Sequence, residues 1–230
     1  STARSPGRNP QHRRAGRHAT VLQDRRVSVI GAGSIGSYLA DLLHRSGVRD
    51  LVVHDSDHLL PGNLVRHAAS ADFVGAPKTE AIRDTAARRD PSWPIQTEGA
   101  LAGLDKAVQL LRERDLVVDC TGDRLIWQLM LAAADIAGVS FLHVMVEGHG
   151  QFGRVDICPP LDGCEPLSPN QVLPVLLTER EGGCCDPVSP TPPTAVIETA
   201  AMGARFAVRM LAGEAVPPAG ESRELFLVIP

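Results

Sequence analysis

The chain has 230 residues, 43% of them hydrophobic, and a formal net charge of −4 at pH 7, which suits one domain with a real core and argues against nucleic acid as the main partner. No apolar run reaches the roughly 20 residues of a membrane span, and the basic N-terminus lacks the apolar segment of a signal peptide. Five cysteines without a secretory signal favour a reducing compartment, so the composition predicts a cytoplasmic domain of enzyme size.

The first segment, residues 1–20, is rich in Arg, Gly, Pro and His. Because it has little to bury, we expect a basic and flexible arm there. Residues 21–230 are then expected to form one domain.

A strand, a glycine turn and a helix follow the arm in the order that a nucleotide site needs. The β-branched run 27–30 predicts a buried strand, and it breaks into G-x-G-x-x-G at Gly31, Gly33 and Gly36. Gly31 allows a tight turn, Gly33 lets the backbone approach a phosphate, and Gly36 lets the next helix pack on the strand. Residues 37–43 carry apolar side chains at helical spacing, and the N-terminal N–H groups of that helix suit an anion. A tight turn without a ligand has the same motif.

The apolar run 51–54 predicts a second strand, and Asp55 stands at its end. It comes about 20 residues after the glycine motif, where an acid suits the ribose hydroxyls of a nucleotide.

Two cations follow this strand. Arg66 lies in the next loop, and Lys78 begins a helix. Hydride transfer to a nicotinamide needs no such pair beside its phosphates. A triphosphate that loses pyrophosphate does need fixed cations, because charge builds on the leaving oxygens.

A third strand, 116–118, ends in Asp119, Cys120, Thr121, Gly122 and Asp123. Three motifs therefore stand at the carboxyl ends of predicted strands, where ligands gather in open α/β sheets. Asp119 also suits a helix cap, and Cys120 suits a small packed side chain.

The rest of the chain alternates short apolar runs with helical periodicity. We expect an α/β fold with a Rossmann-like, mostly parallel sheet flanked by helices, and antiparallel strands toward the C-terminus. The Pro-, Gly- and Cys-rich segment 158–193 predicts a long crossover loop, and Thr194 is expected to cap the helix that follows. The predicted helices span 77–88, 107–114, 125–137 and 195–211, and the further strands span 95–97, 140–146, 151–157 and 225–229.

Three of these motifs together resemble a known family. D-x-D-x(5)-N-L-x-R beginning at Asp55, G-x-P-K ending at Lys78, and D-C-T beginning at Asp119 resemble the ThiF, MoeB and ubiquitin-activating-enzyme superfamily, and bacterial members in particular. The resemblance runs from about 26 to about 211. It implies ATP-dependent adenylation of the C-terminal carboxylate of a ubiquitin-like protein or peptide, with Mg²⁺.

The resemblance also implies roles for single residues. Arg66 would contact the γ-phosphate, and Lys78 would stabilise the leaving pyrophosphate. The family pattern is D-C-T-D with the last acid near Mg²⁺, but here Gly122 takes that place and Asp123 comes one residue later. Either Asp123 takes the role through a changed turn, or magnesium handling has altered. The nucleotide-binding set is then Gly31, Gly33, Ser34, Gly36, Asp55, Asp57, Asn63, Arg66, Lys78 and Asp123.

The same likeness implies an assembly. Helices 125–137 and 195–210 carry more apolar and small side chains than exposed helices need, so a homodimer is expected. In the family an N-terminal arginine crosses the dimer interface toward the triphosphate, and Arg8, Arg13 and Arg14 are the candidates here.

The cysteines leave three alternatives open. Cys184 or Cys185, in a Gly-rich stretch of the crossover loop, would act as a thioester-forming nucleophile, as in activating enzymes of the ubiquitin class. Zinc is the second alternative, but Cys158 and Cys164 with the adjacent pair do not have the two C-x-x-C spacings of zinc-bearing relatives. The third is that no thiol does chemistry.

Two other functions compete with adenylation. An NAD-dependent oxidoreductase would use the same glycine motif but would leave Arg66 and Lys78 unexplained. A degenerate nucleotide-binding subunit of a heterodimer would explain Gly122 and the missing zinc pairs.

Overall fold

The computed structural model describes residues 14–174 and 189–226. The described elements alternate strand and helix along most of the chain. In order they are α1 (Ala19–Leu22), β1 (Arg26–Ile30), α2 (Ser34–Ser46), β2 (Asp50–His54), α3 (Lys78–Ala87), β3 (Gln96–Glu98), α4 (Gly103–Glu113), β4 (Leu116–Asp119), α5 (Arg124–Ala137), β5 (Phe141–Glu147), β6 (Phe152–Cys158), α6 (Pro193–Leu211) and β7 (Gly220–Glu224).

The strands form one seven-stranded sheet in the order β3-β2-β1-β4-β5-β6-β7. The first five strands in this order pair in parallel with one another. Strand β6 pairs antiparallel with both β5 and β7. The predicted fold class is therefore confirmed, including the antiparallel end of the sheet.

Helices cover both faces of the sheet. The larger core lies between the sheet and α2 and α6, with Leu39 and Phe206 buried in it. The smaller core lies between the other face and α4 and α5, with Met130 and Phe141 buried. Because both faces are covered, strands such as β4 are buried along their whole length.

The strand register brings the predicted motifs together. Ile30 at the end of β1 pairs with His54 of β2 on one side and with Asp119 of β4 on the other. Gly31, Asp55 and Cys120 therefore leave the sheet side by side at its carboxyl edge. This edge is where the sequence places a ligand site.

Two local predictions were wrong. Thr194 does not cap α6, because the helix already begins at Pro193 with Pro192 as its N-cap, and proline fits the first helical turn. The last described strand, 220–224, was not predicted, and the first two residues of the predicted strand 225–229 lie outside any strand. The polar residues of 220–224 form the edge of the sheet, Leu225 and Phe226 follow them, and 227–230 lie outside the described residues.

The short helix α1 was not predicted, and the other helices and strands differ from prediction by a few residues at most. The largest shift is at α4, which begins at Gly103 instead of residue 107. In the part of the chain that the structure describes, no helix is both long enough and apolar enough to cross a membrane.

Candidate active site

The glycine turn has the geometry that its sequence predicts. Gly31 adopts a φ of +90°, and a Cβ there would lie 3.0 Å from the backbone of Thr121, so only glycine fits without strain. A Cβ at Gly36 would lie 1.9 Å from the Gly31 carbonyl oxygen, which shows how closely α2 packs on the turn. Gly33, the N-cap of α2, has open space on its Cβ side. Ser34 begins the helix, and its carbonyl accepts a bond from Ser37 Oγ.

Two side chains hold this turn from outside. Asp55 Oδ2 accepts a hydrogen bond from the Ala32 N–H at 2.7 Å, and His67 Nε2 donates to the Ala32 carbonyl at 2.9 Å. His67 is neutral in this arrangement, because its Nδ1 accepts from the Ala69 N–H. Burial accordingly lowers the pKa of His67. Sequence reasoning missed this role, since a histidine thirteen residues after the end of β2 carries no pattern of its own.

A pocket of about 320 Å³ opens beside the turn. This volume falls within the range of about 300–1,000 Å³ that small-molecule sites occupy. The ends of β1, β2 and β4 and the starts of α3 and α5 line it. Its polar lining includes Gly31, Gly33, Asp55, Asp57, Lys78, Thr121 and Asp123.

Lys78 supplies the positive charge of the pocket. Its Nζ lies 2.7 Å from Asp57 Oδ2, and its side chain is 14% exposed. The backbone is tied at the same point, because the Lys78 N–H donates to the Asp57 carbonyl at 2.8 Å. The ammonium is thus held in the lining of the pocket by its ion pair with Asp57.

Asp55 and Asp123 are the acids with room for further contacts. Asp55 Oδ1 accepts from the Asp57 N–H at 2.7 Å, and each of its carboxylate oxygens has a second lone-pair site. Asp123 Oδ1 caps α5 by accepting from the Leu125 N–H at 2.7 Å. Gly122 adopts a φ of +64° just before it, and this left-handed turn sets Asp123 at the pocket.

Asp119 is not a helix cap. It is fully buried, and its Oδ1 accepts from the Thr121 N–H and hydroxyl at 2.9 and 2.7 Å. Its Oδ2 accepts from Nδ1 of the buried His143 at 2.9 Å. The neighbouring Cys120 is a packed core residue, as predicted, and burial raises the pKa of its thiol.

Arg66 and Asn63 do not border the pocket. The Arg66 guanidinium donates to the Ser189 and Thr191 carbonyls at 3.2 and 3.4 Å, at the end of the crossover loop. Asn63 Oδ1 accepts from the Leu60 N–H at 3.0 Å and so fastens the short helix Pro61–Arg66. Both roles in this arrangement are structural.

The two buried cysteines, Cys120 and Cys158, are poorly suited to nucleophilic chemistry. Burial raises the pKa of Cys158 to about 12, so its thiol is protonated at neutral pH. No group of three or more His, Cys, Asp or Glu side chains suited to a metal occurs within 14–174 and 189–226. Cys184 and Cys185 lie outside the described residues.

Only the end of the predicted arm is described. Arg8 and Arg13 lie outside the described residues, while Arg14 is exposed. Arg17 forms an ion pair with Glu214 at 2.7 Å, and Ala19 is buried in α1.

The pocket fits a nucleotide with its phosphates on the glycine turn. The α2 N-terminus, the open space at Gly33 and the ammonium of Lys78 all favour an anion there. Among the described residues, the hydrogen bonds that Asp123 accepts both go to Oδ1, so Oδ2 fits Mg²⁺, which proteins often hold by one or two carboxylates together with substrate phosphates.

Fold and pocket together define an α/β nucleotide-binding domain with its site at the carboxyl edge of the sheet. Residues 12–215 match the model of the ThiF family. The chain therefore belongs to the ThiF family, which confirms both the predicted family and the predicted enzyme class, a ThiF-type adenylyltransferase.

Individual relatives agree with this assignment. The chain is 31% identical over 205 residues to a molybdopterin-synthase adenylyltransferase of Escherichia coli, covering 87% of this chain and 78% of that one. It is 29% identical over 211 residues to an ATP-dependent ubiquitin transferase-like protein Cap2 of Enterobacter hormaechei, and spans 35% of that longer protein.

Solved structures share the fold. The crystal structure of Escherichia coli MccB superposes with a TM-score of 0.67 at 16% identity, covering 90% of this chain and 64% of that chain. TcdA (CsdL) superposes with a TM-score of 0.55 at 20% identity, covering 64% of this chain and 60% of that one.

Proposed function

We propose that this protein uses MgATP to adenylate the C-terminal carboxylate of a ubiquitin-like protein or a peptide. The observation that carries the proposal is the position of Lys78, an ammonium held by its ion pair with Asp57 in the lining of the pocket that the glycine turn also lines. A nicotinamide enzyme has no use for this cation, whereas departure of pyrophosphate does.

The reaction needs no general base, because a carboxylate is already ionised at neutral pH. One carboxylate oxygen attacks the α-phosphorus and forms the new O–P bond. The bond from the α-phosphorus to the bridging oxygen breaks, and pyrophosphate leaves with its electron pair. The protein contributes position and charge to this step.

We assign the roles by place in the pocket. Gly31, Gly33 and the α2 N-terminus would cradle phosphate oxygens, Asp55 would hold the ribose, and Lys78 would neutralise the leaving pyrophosphate. Asp123 would hold Mg²⁺, which supplies further charge neutralisation at the phosphates.

Arg66 would contact the γ-phosphate only after losing its hydrogen bonds to the Ser189 and Thr191 carbonyls. Its guanidinium suits such a bidentate contact. Its motif position supports this role.

The fate of the adenylate depends on the crossover loop. We propose that Cys184 or Cys185 takes the activated acyl group as a thioester: the thiolate sulfur attacks the acyl carbon, and AMP leaves with its electron pair. The name of the Cap2 relative, a ubiquitin transferase-like protein, supports a transfer of this kind. We also propose a homodimer.

Exchange of labelled pyrophosphate into ATP tests the proposal, with the proteins that co-purify with this chain supplied as acceptors. Lys78→Ala and Arg66→Ala should each lower acceptor-dependent exchange by about 100-fold, the scale of one lost transition-state donor. Lys106→Ala is the matched control, since it removes the chain's other lysine, which is exposed in α4. Normal exchange in the Lys78 variant would reject the assignment, as would equal loss in the control.

A further inference from the structure

A second, smaller pocket adjoins the nucleotide pocket. Its volume is about 200 Å³, and Asp123 borders both pockets. We call it the Trp127 pocket. Its lining is Gly122, Asp123, Arg124, Trp127, His143 and Met145.

One wall carries an imidazole with a fixed orientation. His143 donates from Nδ1 to the buried Asp119 carboxylate at 2.9 Å, and the side chain of His143 is 5% exposed. The bond to Asp119 places a proton on Nδ1, so in the neutral form of the ring Nε2 is a hydrogen-bond acceptor. No described residue donates to it, so it is available to a ligand's N–H group.

The rim carries a cation without an ion pair. Arg124 is exposed at the first position of α5, and no carboxylate of the described residues pairs with it. It stands at a helix N-terminus, where the helix dipole also favours negative charge. A carboxylate that enters beside Asp123 therefore meets a guanidinium able to donate a charge-assisted hydrogen bond to one of its oxygens.

Trp127 and Met145 make the rest of the wall apolar. The Trp127 and His143 rings stand 6.1 Å apart between centroids. At roughly 30 Å³ per water, the pocket equals the liquid volume of six or seven waters. A glycine would leave most of this space unfilled, whereas a residue with a side chain of moderate size would displace water from the apolar wall.

We propose that the Trp127 pocket receives the last residue of the acceptor, and that this residue carries a side chain. Arg124 holds one carboxylate oxygen while the other is free to attack, and His143 Nε2 accepts the last peptide N–H. The inference rests on the proposed adenylation and narrows it, because it selects acceptors that do not end in glycine.

Peptide pools test the inference without knowledge of the natural acceptor. Each pool contains random nonapeptides with one fixed terminal residue, titrated to millimolar concentration into the full chain with a non-hydrolysable ATP analogue and Mg²⁺. The reporter is the Trp127 indole resonance. Trp93, the only other tryptophan in the chain, serves as the internal control because it packs against Arg49 instead.

We expect pools with moderate side chains to shift Trp127 at concentrations about 10-fold below those that the glycine pool requires, and to leave Trp93 in place. The proline pool and amide-capped pools should bind weakly, because one lacks the N–H and the other lacks the carboxylate. A glycine pool that binds as well as the others would overturn the inference, and so would the absence of any Trp127 shift.

Arg124→Ala separates recognition from folding. It should weaken the free-acid pools about 10-fold or more, the effect of losing a charged hydrogen bond, and leave the amide-capped pools unchanged. Arg112→Ala, an arginine of α4 outside the pocket, is the matched control. Equal losses for acids and amides would overturn the role of Arg124. MgATP affinity, measured in the same samples, reports on the adenylation proposal separately, because Arg124 does not border the nucleotide pocket.

Discussion

Two glycines of the turn should respond to alanine in opposite ways, although both belong to the same motif. At Gly36 the new Cβ would lie 1.9 Å from a backbone oxygen, so α2 must move off the turn. At Gly33 the Cβ meets nothing within 4 Å, and φ is −76°. The sequence motif alone does not distinguish these two environments.

The expected magnitudes follow from this geometry. Overpacking at Gly36 destabilises the fold by about 1–3 kcal/mol. The higher helix propensity of alanine stabilises α2 by up to about 1 kcal/mol. The net loss for Gly36→Ala is then about 1–2 kcal/mol. With an m-value of about 2 kcal/mol/M, the urea midpoint should fall by about 0.5–1 M. For Gly33→Ala, alanine is a poorer N-cap, which destabilises the fold, but it also makes the unfolded chain less flexible, which stabilises the fold. Each effect is about 0.5–1 kcal/mol, so the midpoint should stay nearly unchanged.

Urea denaturation followed by circular dichroism measures both variants, and titration with MgATP measures the site. Gly33→Ala should fold normally yet bind MgATP more weakly, since its Cβ projects where a phosphate would approach. An unchanged midpoint for Gly36→Ala would refute the packing argument. A large stability loss for Gly33→Ala would refute the assignment of that glycine to the ligand.

The other predictions concern the pH dependence of stability, the two cysteines of the crossover loop and the oligomeric state. His67 has a pKa below its usual value when folded, so the unfolded chain binds more protons as the pH falls below about 6.5, and stability should decline toward pH 5. His67→Gln should reduce this decline in pH-resolved urea titrations, whereas His58→Gln, at an exposed position, should not. Replacing Cys184 and Cys185 with Ser should leave pyrophosphate exchange intact and remove any thiol-labile acceptor adduct on non-reducing gels; persistence of the adduct would contradict the thioester proposal. Light scattering at micromolar concentration should show a dimer, because Leu125 of α5 is 74% exposed, and a fully active monomer would contradict this.

The sequence predicts the elements at the carboxyl edge of the sheet well. Continuous apolar runs predict buried strands such as Leu116–Asp119, and the glycine motif predicts the turn. The strand Gly220–Glu224 was missed because it is polar and lies at the edge of the sheet, where its pairing with β6 is set by the fold and not by an apolar pattern.

Contacts between distant segments were beyond sequence reasoning. Nothing near His67 indicates that its ring reaches the Ala32 carbonyl, and nothing near Asp119 indicates a buried partner 24 residues away at His143. For Arg66, the motif alone did not predict the contacts of the side chain. Its position in the pattern is conspicuous, yet its guanidinium contacts the crossover loop in this structure.

The central claim is that the pocket beside the glycine turn binds ATP through Lys78. Isothermal titration calorimetry of the full chain with MgATP, and separately with NAD⁺, tests it most directly. We predict one MgATP site per chain, no binding of NAD⁺, and weaker MgATP binding in Lys78→Ala than in Lys106→Ala. Binding of NAD⁺ without MgATP would contradict the account, as would MgATP binding that the Lys78 substitution leaves unchanged.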